Sequence, residues 1–193
     1  MPQVKLLAFA GSTRTASFNK QLVKIAAEGA RDAGAEVLCV DLRDFPMPVF
    51  DGDLEGAEGL PENGKKLKGL FREHDGFLIA SPEYNSSITA VLKNSLDWVS
   101  RPESDDEPGL IAFRGKTAAI MSASPGGLGG LRGLVHLRSI LSNIGVYLIP
   151  DQVAVSSAYD AFADGKLKDA GKLAQVQGLG KTLAAFTAKV KAT

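Results

Sequence analysis

Five apolar runs of strand length punctuate the chain, at Val4 to Ala10, Glu36 to Val40, Gly76 to Ala80, Thr117 to Ser122 and Val146 to Ile149. None alternates strictly with polar residues, which is the pattern of strands covered on both faces in a parallel sheet. Between them lie stripes at helical spacing: Phe18, Leu22, Ile25, Ala26 and Gly29; Ile88, Val91, Leu92, Leu96 and Val99; Leu134, Leu137, Leu141 and Ile144. Each stripe would cover one sheet face. Further helices are predicted over roughly Leu60 to Glu73 and Leu167 to Val190, the second carrying Leu173, Val176, Leu183 and Val190 on about one side. Strand and helix alternate to the end, so the expected fold is α/β, a doubly wound sheet of five parallel strands with helices on both faces. Phe45 to Pro61 and Arg101 to Gly115 read as long loops, and residues 1–193 as one domain.

Ligands of such sheets bind outside the carboxyl ends of the strands, where the strand order reverses. Three loops therefore matter, beginning at Gly11, Ser81 and Ser122. In the first, Gly11-Ser12-Thr13-Arg14-Thr15-Ala16-Ser17-Phe18-Asn19 leaves a buried strand and enters a helix. Backbone N–H groups converge there at the positive end of the helix dipole, and Arg14 can meet two phosphate oxygens with one rigid fork. The same loop also reads as a polar turn in which Ser17 caps the helix, and taken alone it leaves both readings open. A dinucleotide fingerprint fails at Thr13, where glycine is needed, and no Walker loop is present. Gly180-Lys181-Thr182 has Gln175 where the first Walker glycine belongs and falls inside the last helix.

The second loop, Ser81-Pro82-Glu83-Tyr84-Asn85-Ser86-Ser87, is stiffened by Pro82, and Ser87 is the expected cap of the following helix. An aromatic ring flanked by a proline and an amide suits the face and edge of a planar heterocycle. The third, Ser122-Ala123-Ser124-Pro125-Gly126-Gly127-Leu128-Gly129-Gly130, is either a third wall that lets backbone approach a ligand or a mobile loop.

Charge narrows the function classes. Lysine plus arginine equals aspartate plus glutamate, 22 each. No overall basic field exists for a nucleic-acid backbone or an anionic membrane surface, so neither is an expected partner. Cys39, the single cysteine, forms no internal disulfide and is expected to be buried as a small hydrophobe. Val4 to Ala10 carries Lys5 and runs into Gly11-Ser12, which reads as a strand and not a secretory leader; a cytoplasmic location is expected. His74 is expected at the surface, away from the loops, and His136 to hold a helix contact. Trp98 is assigned to core or subunit packing. Glu103, Asp105, Asp106 and Glu107 are assigned to a solvated loop and not to a metal site.

Taken together, Gly11-Ser12-x-Arg14-x-x-Ser17-x-Asn19 and Pro82-Glu83-Tyr84-Asn85 resemble the NAD(P)H-dependent FMN reductase family, which includes bacterial quinone, chromate and azo-dye reductases. Lys93-Asn94-Ser95-Leu96-Asp97-Trp98 and Gly129-Gly130-Leu131-Arg132 extend the likeness, in order and in register, from Gly11 to about Leu141. The resemblance implies a flavodoxin-like sheet with strand order 2-1-3-4-5 and FMN as cofactor. By it, Ser12, Arg14, Ser17 and Asn19 would hold the FMN phosphate, and Pro82, Glu83, Tyr84 and Asn85 would line the isoalloxazine and ribityl chain. Ser122, Pro125, Gly126 and Gly127 would close the far side. No protein acid or base is required, because flavin N5 would accept hydride from NADPH or NADH before a quinone, metal-oxyanion, azo or flavin acceptor takes the electrons.

Two departures stand out. Ser86 occupies a position often aromatic in chromate and quinone reductases, and Val135 one where some relatives carry a tyrosine that joins subunits. They bear on acceptor preference and on association into a homodimer or homotetramer, for which the helices near Trp98 are the expected contact. The competing readings are a flavodoxin-type electron carrier that does not itself oxidise nicotinamide, which neutrality disfavours, and a binding protein that has lost the flavin.

Overall fold

A computed structural model describes residues 3–192. Strands β1 (Lys5–Ala10), β2 (Glu36–Asp41), β3 (Gly76–Ala80), β4 (Thr117–Ala123) and β5 (Tyr147–Val155) form one parallel sheet in the order β2-β1-β3-β4-β5. The helices in chain order are α1 (Phe18–Asp32), α2 (Gly52–Glu58), α3 (Glu62–Glu73), α4 (Ala90–Val99), α5 (Leu131–Asn143), α6 (Ala158–Ala161) and α7 (Ala170–Lys191). A two-stranded hairpin, β6 (Phe162–Ala163) with β7 (Lys166–Leu167), lies between the last two. Among the described residues no helix is long and apolar enough to cross a membrane.

Alternation along β1 explains the layers. Leu6, Ala8 and Ala10 face α1 and α7, while Leu7 and Phe9 face α3, α4 and α5, and all five are buried. The first face carries five alanines, Ala8, Ala10, Ala80, Ala119 and Ala123, which lets α1 and α7 settle close to it. The two helices also touch backbone to backbone. A Cβ on Gly29 would lie 2.0 Å from the Gln177 carbonyl oxygen, and one on Gly180 would lie 1.9 Å from that of Ala26. Gly180, which superficially suggests a phosphate loop, is a packing glycine.

Several expectations change. β5 continues beyond Pro150, with a register shift between Ala118 and Ile120 of its partner; β5 is an edge strand, where a proline lacking an N–H is tolerated. The segment read as the loop Phe45 to Pro61 contains α2, capped by Asp51 Oδ1 on the Asp53 and Leu54 N–H groups. It buries no residue and so carries no stripe to read. Of the two roles expected of Trp98, core packing is the one observed: it is fully buried, with Nε1 donating to Pro48 O at 2.8 Å and its ring edge-on to Phe50 at 4.9 Å, so the indole itself makes no subunit contact.

Cys39 is exposed, contrary to expectation, because β2 is the opposite edge strand. His74 is buried and not at the surface: its Nδ1 lies 2.6 Å from Leu70 O at the end of α3. The acidic loop is more than solvated surface. Glu103 and Glu107 pair with the ammonium of Lys68, which is 1% exposed and also donates to Arg101 O at 2.7 Å. A buried lysine needs such partners, and α3 is thereby tied to the loop before β4.

Candidate functional site

At the carboxyl end of the sheet the three loops enclose a cleft lined by Ser12, Arg14, Ser17, Phe18, Asn19, Pro82, Glu83, Tyr84, Ala123, Ser124 and Pro125. Its cavity measures about 70 Å³ and is partly open to solvent. That is room for a phosphate-sized group, since a single water needs only ~10–15 Å³ by the same measure. It is far short of the ~300–1,000 Å³ of a pocket that engulfs a small molecule. Anything larger than the phosphate therefore rests on the open rim, where Tyr84 is 55% exposed. Larger clefts occur elsewhere, one of 560 Å³ between α1, the hairpin and α7, but that one is lined by the second and third turns of α1 and not by the switch-point loops.

The first loop is rigidly placed and chemically open. Gly11 N donates to Ala80 O at 2.9 Å, and the N-cap of α4, Thr89, donates its hydroxyl to Gly11 O at 2.7 Å. Ser17 caps α1, accepting from Lys20 N, and Ser12 Oγ accepts from Arg14 N. The N–H groups of Thr13, Thr15, Ala16 and Ser17 find no acceptor among the described residues, and neither does the guanidinium of Arg14. Four unspent backbone donors and a free cation at a helix N-terminus could hold a phosphate carrying about −1.5 to −2 charge. Asn19 plays another part. Its amide donates to Ala123 O at 2.8 Å and accepts from Ala123 N at 2.9 Å, so it joins the start of α1 to the end of β4.

The second loop displays its tyrosine on a tight turn. Tyr84 N donates to Ser87 O and Ser87 N to Tyr84 O, and the two residues between them, Asn85 and Ser86, have φ of 51° and 65°. Two successive positive φ values are the mark of a type I′ turn; asparagine tolerates that region and serine less so. Thr89, not Ser87, caps α4, its Oγ1 accepting from Leu92 N at 3.2 Å; Ser87 Oγ instead lies 2.9 Å from Nδ1 of His136.

Glu83 bridges the second and third loops. Its Oε1 accepts from Arg132 Nη2 at 2.8 Å and Nε at 3.1 Å, and Oε2 accepts from Gly133 N at 3.0 Å. The N-cap of α5 is Gly130, which has no side chain, so Glu83 supplies the missing cap from another loop. Burial acts to raise its pKa, but the Gly133 N–H and then the Arg132 guanidinium outweigh it, and the net shift is downward. A carboxylate with a depressed folded-state pKa adds stability that is whole above its unfolded value and is lost as pH falls through the folded one. The stability difference between wild type and Glu83→Gln in urea titrations is thus expected to be largest at neutral pH and to shrink below about pH 4.5, the ordinary value of this group. A difference independent of pH would count against the ion pair.

The NADPH-dependent FMN reductase profile matches residues 4–160. The chain belongs to that family. Among curated relatives, the NAD(P)H-dependent FMN reductase PA1204 of Pseudomonas aeruginosa is 37% identical over 168 residues, covering 86% of this chain and 85% of the relative. The quinone reductase of Escherichia coli strain K12 is 30% identical over 193 residues and 98% of each chain. The structure of FerB, a flavoenzyme NAD(P)H:(acceptor) oxidoreductase from Paracoccus denitrificans, superposes with a TM-score of 0.77 at 25% identity, covering 96% of this chain and 98% of that one. The sheet order expected of a flavodoxin-like fold is the one observed.

As an FMN reductase family member the chain is an oxidoreductase that uses FMN and a reduced nicotinamide nucleotide. The cleft suits FMN at both ends, with unspent donors that could take the phosphate, and with Tyr84 and Pro125 exposed at the rim and Pro82 buried beneath where a ring could lie. Of the residues singled out in the sequence, Ser12, Arg14, Ser17, Asn19, Pro82, Glu83, Tyr84 and Pro125 come together around it. Asn85 lies in the turn just beyond, Gly126 and Gly127 are exposed outside the lining, and Ser122 is fully buried. A Cβ on Gly130 would meet Ser122 Oγ at 1.9 Å, so this serine sits under the start of α5. Sequence reasoning missed Phe18, Ala123 and Ser124. Phe18 carries a helical stripe, yet its ring also lines the cleft, held by stacking on Phe162 at 5.3 Å and an edge-on contact with Tyr159 at 5.3 Å.

Proposed function

We propose that this protein oxidises NADPH or NADH and passes the electrons to a quinone, on FMN anchored in the cleft between Arg14 and Tyr84. The observation that carries the reading is the pairing of a free guanidinium and four unspent N–H groups with an exposed tyrosine across one small cleft. The names of the relatives supply the acceptor class, since quinone reductases recur among them from potato to Escherichia coli. Metal-oxyanion, azo and free-flavin acceptors would reach the same open rim. When bound, FMN supplies hydride acceptance and electron donation. The chain's own residues bind and orient: Arg14 and the loop N–H groups hold the phosphate, Pro82, Tyr84 and Pro125 line the ring, and Asn19 and Glu83 keep the three loops in register. No side chain need move a proton, and the ring of His136 is occupied with Ser87. Nicotinamide and quinone would use the open rim in turn.

The chain is proposed to act as one domain and to associate with identical copies into a homodimer or homotetramer. Leu128, in the loop before α5, and Leu131 and Val135 in its first turns are exposed and support that association.

Mixing the FMN-loaded protein with NADPH and benzoquinone, without any partner reductase, tests the activity. Consumption of both, with parallel double-reciprocal lines, is the expected result. A protein that binds FMN yet leaves NADPH untouched would be an electron carrier.

A further inference from the structure

Behind the outer rim of the phosphate loop stands a second arginine. Arg43 lies in the short 3₁₀ turn, Leu42–Asp44, that follows β2. Its Nη1 donates to Thr15 Oγ1 at 3.0 Å and its Nη2 to the carbonyl oxygen of Thr13. Both acceptors belong to the stretch whose N–H groups are unspent. The carboxylate of Asp41 holds Arg43 in place, with Oδ1 accepting from Arg43 N at 3.0 Å and Oδ2 from Lys20 Nζ, in the first turn of α1, at 2.5 Å. Burial acts to raise the Asp41 pKa, but the bonds from Lys20 and Arg43 N outweigh it, so this anchor stays charged at neutral pH.

The partners of Arg43 decide what it can do. Its guanidinium touches a hydroxyl and a carbonyl, both neutral, and no carboxylate. Its positive charge acts on Asp41 through space but is not spent in a direct ion pair, so part of it is left for an anion in the loop. A turned-out Thr13 carbonyl would otherwise present negative charge at the rim of an anion site, and the fork of Arg43 covers it. Arg14 alone brings one positive charge to a phosphate that carries about −1.5 to −2. Asp41 and Asp44 offset part of the surrounding charge, which makes each free cation count.

We infer that Arg43 is a second cationic residue of the phosphate site, bracing the loop through Thr13 and Thr15 and selecting phosphorylated over unphosphorylated flavin. The inference rests on the proposed FMN site. Its distinctive consequence is that Arg43 acts on the phosphate and not on the ring.

Fluorescence titrations of apoprotein with FMN and with riboflavin separate these possibilities without any measurement of turnover. Arg43→Ala, at an exposed position whose loss should spare folding as checked by circular dichroism, is expected to raise the FMN Kd about 5- to 20-fold at low salt. It should leave the riboflavin Kd within about twofold, and the FMN effect should narrow at high salt. Arg43→Lys keeps the charge without the fork and should recover part of the loss. An FMN Kd unchanged by Arg43→Ala would overturn the inference while leaving the FMN site standing. Equal weakening of both ligands would overturn it too, by showing that Arg43 merely supports the fold. Failure of the wild-type protein to bind FMN would remove the site and the inference together.

Discussion

Replacing Arg14 with alanine is expected to weaken FMN binding about 30- to 150-fold, as read by flavin fluorescence titration. Arg14 is the one guanidinium in the cleft lining, and it has no protein partner among the described residues. Its bonds to a phosphate would thus be gained outright and not exchanged for an existing ion pair. Charge-assisted hydrogen bonds contribute roughly 1.5–3 kcal/mol each, and a two-pronged guanidinium makes more than a lysine at the same place. Arg14→Lys should accordingly fall between wild type and Arg14→Ala. Riboflavin, which lacks the phosphate, should bind all three proteins about equally. An Arg14→Ala protein with wild-type FMN affinity would mean that the phosphate lies elsewhere.

The largest stability effect is expected from Asn19→Asp, a change of one atom. Asn19 is 4% exposed and its amide nitrogen faces the Ala123 carbonyl at 2.8 Å. A carboxylate oxygen in that position repels the carbonyl and is buried without a donor, a loss of about 2–4 kcal/mol. The sign of the pH dependence follows. Burial raises the folded-state pKa of the new carboxyl above its unfolded value, so the penalty is full at neutral pH and declines on acidification, where a protonated oxygen can donate to Ala123 O. Urea denaturation at neutral and mildly acidic pH measures this directly. An Asn19→Asp protein as stable as wild type throughout would mean that the link from α1 to β4 contributes little.

Much of this architecture is legible in the sequence because strands covered on both faces leave continuous apolar runs and amphipathic helices leave periodic ones. Where covering is incomplete, the signal fails. β2 reads as buried and Cys39 as a core thiol, yet nothing local marks which strand will stand at an edge. α2 buries nothing and leaves no stripe. The β6–β7 hairpin has strands of two residues, too short for any period, although its turn is the Asp164-Gly165 pair with φ of 47° and 79°. Asp-Gly between short apolar segments is a recognised hairpin signal.

The cleft was readable as residue types but not as partnerships. Arg14 and Tyr84 stand out because switch-point loops concentrate function, and the structure puts them on one cleft. Asn19 reads as a phosphate donor, whereas its partner Ala123 lies 104 residues away. Glu83 reads as a ring contact, whereas its carboxylate serves Arg132 and Gly133, 49 and 50 residues on. Arg43 carries no local pattern, and only the fold brings it to Thr13 and Thr15. Bonds across such separations are products of the closed sheet and have no period along the chain.

A crystal structure of the FMN complex tests the account most directly. The phosphate is predicted among the N–H groups of Thr13, Thr15, Ala16 and Ser17, within hydrogen-bond reach of the Arg14 guanidinium, with the isoalloxazine against Tyr84 and Pro82 and one face open. Flavin found in another cleft, or bound with its phosphate away from Arg14, would contradict it.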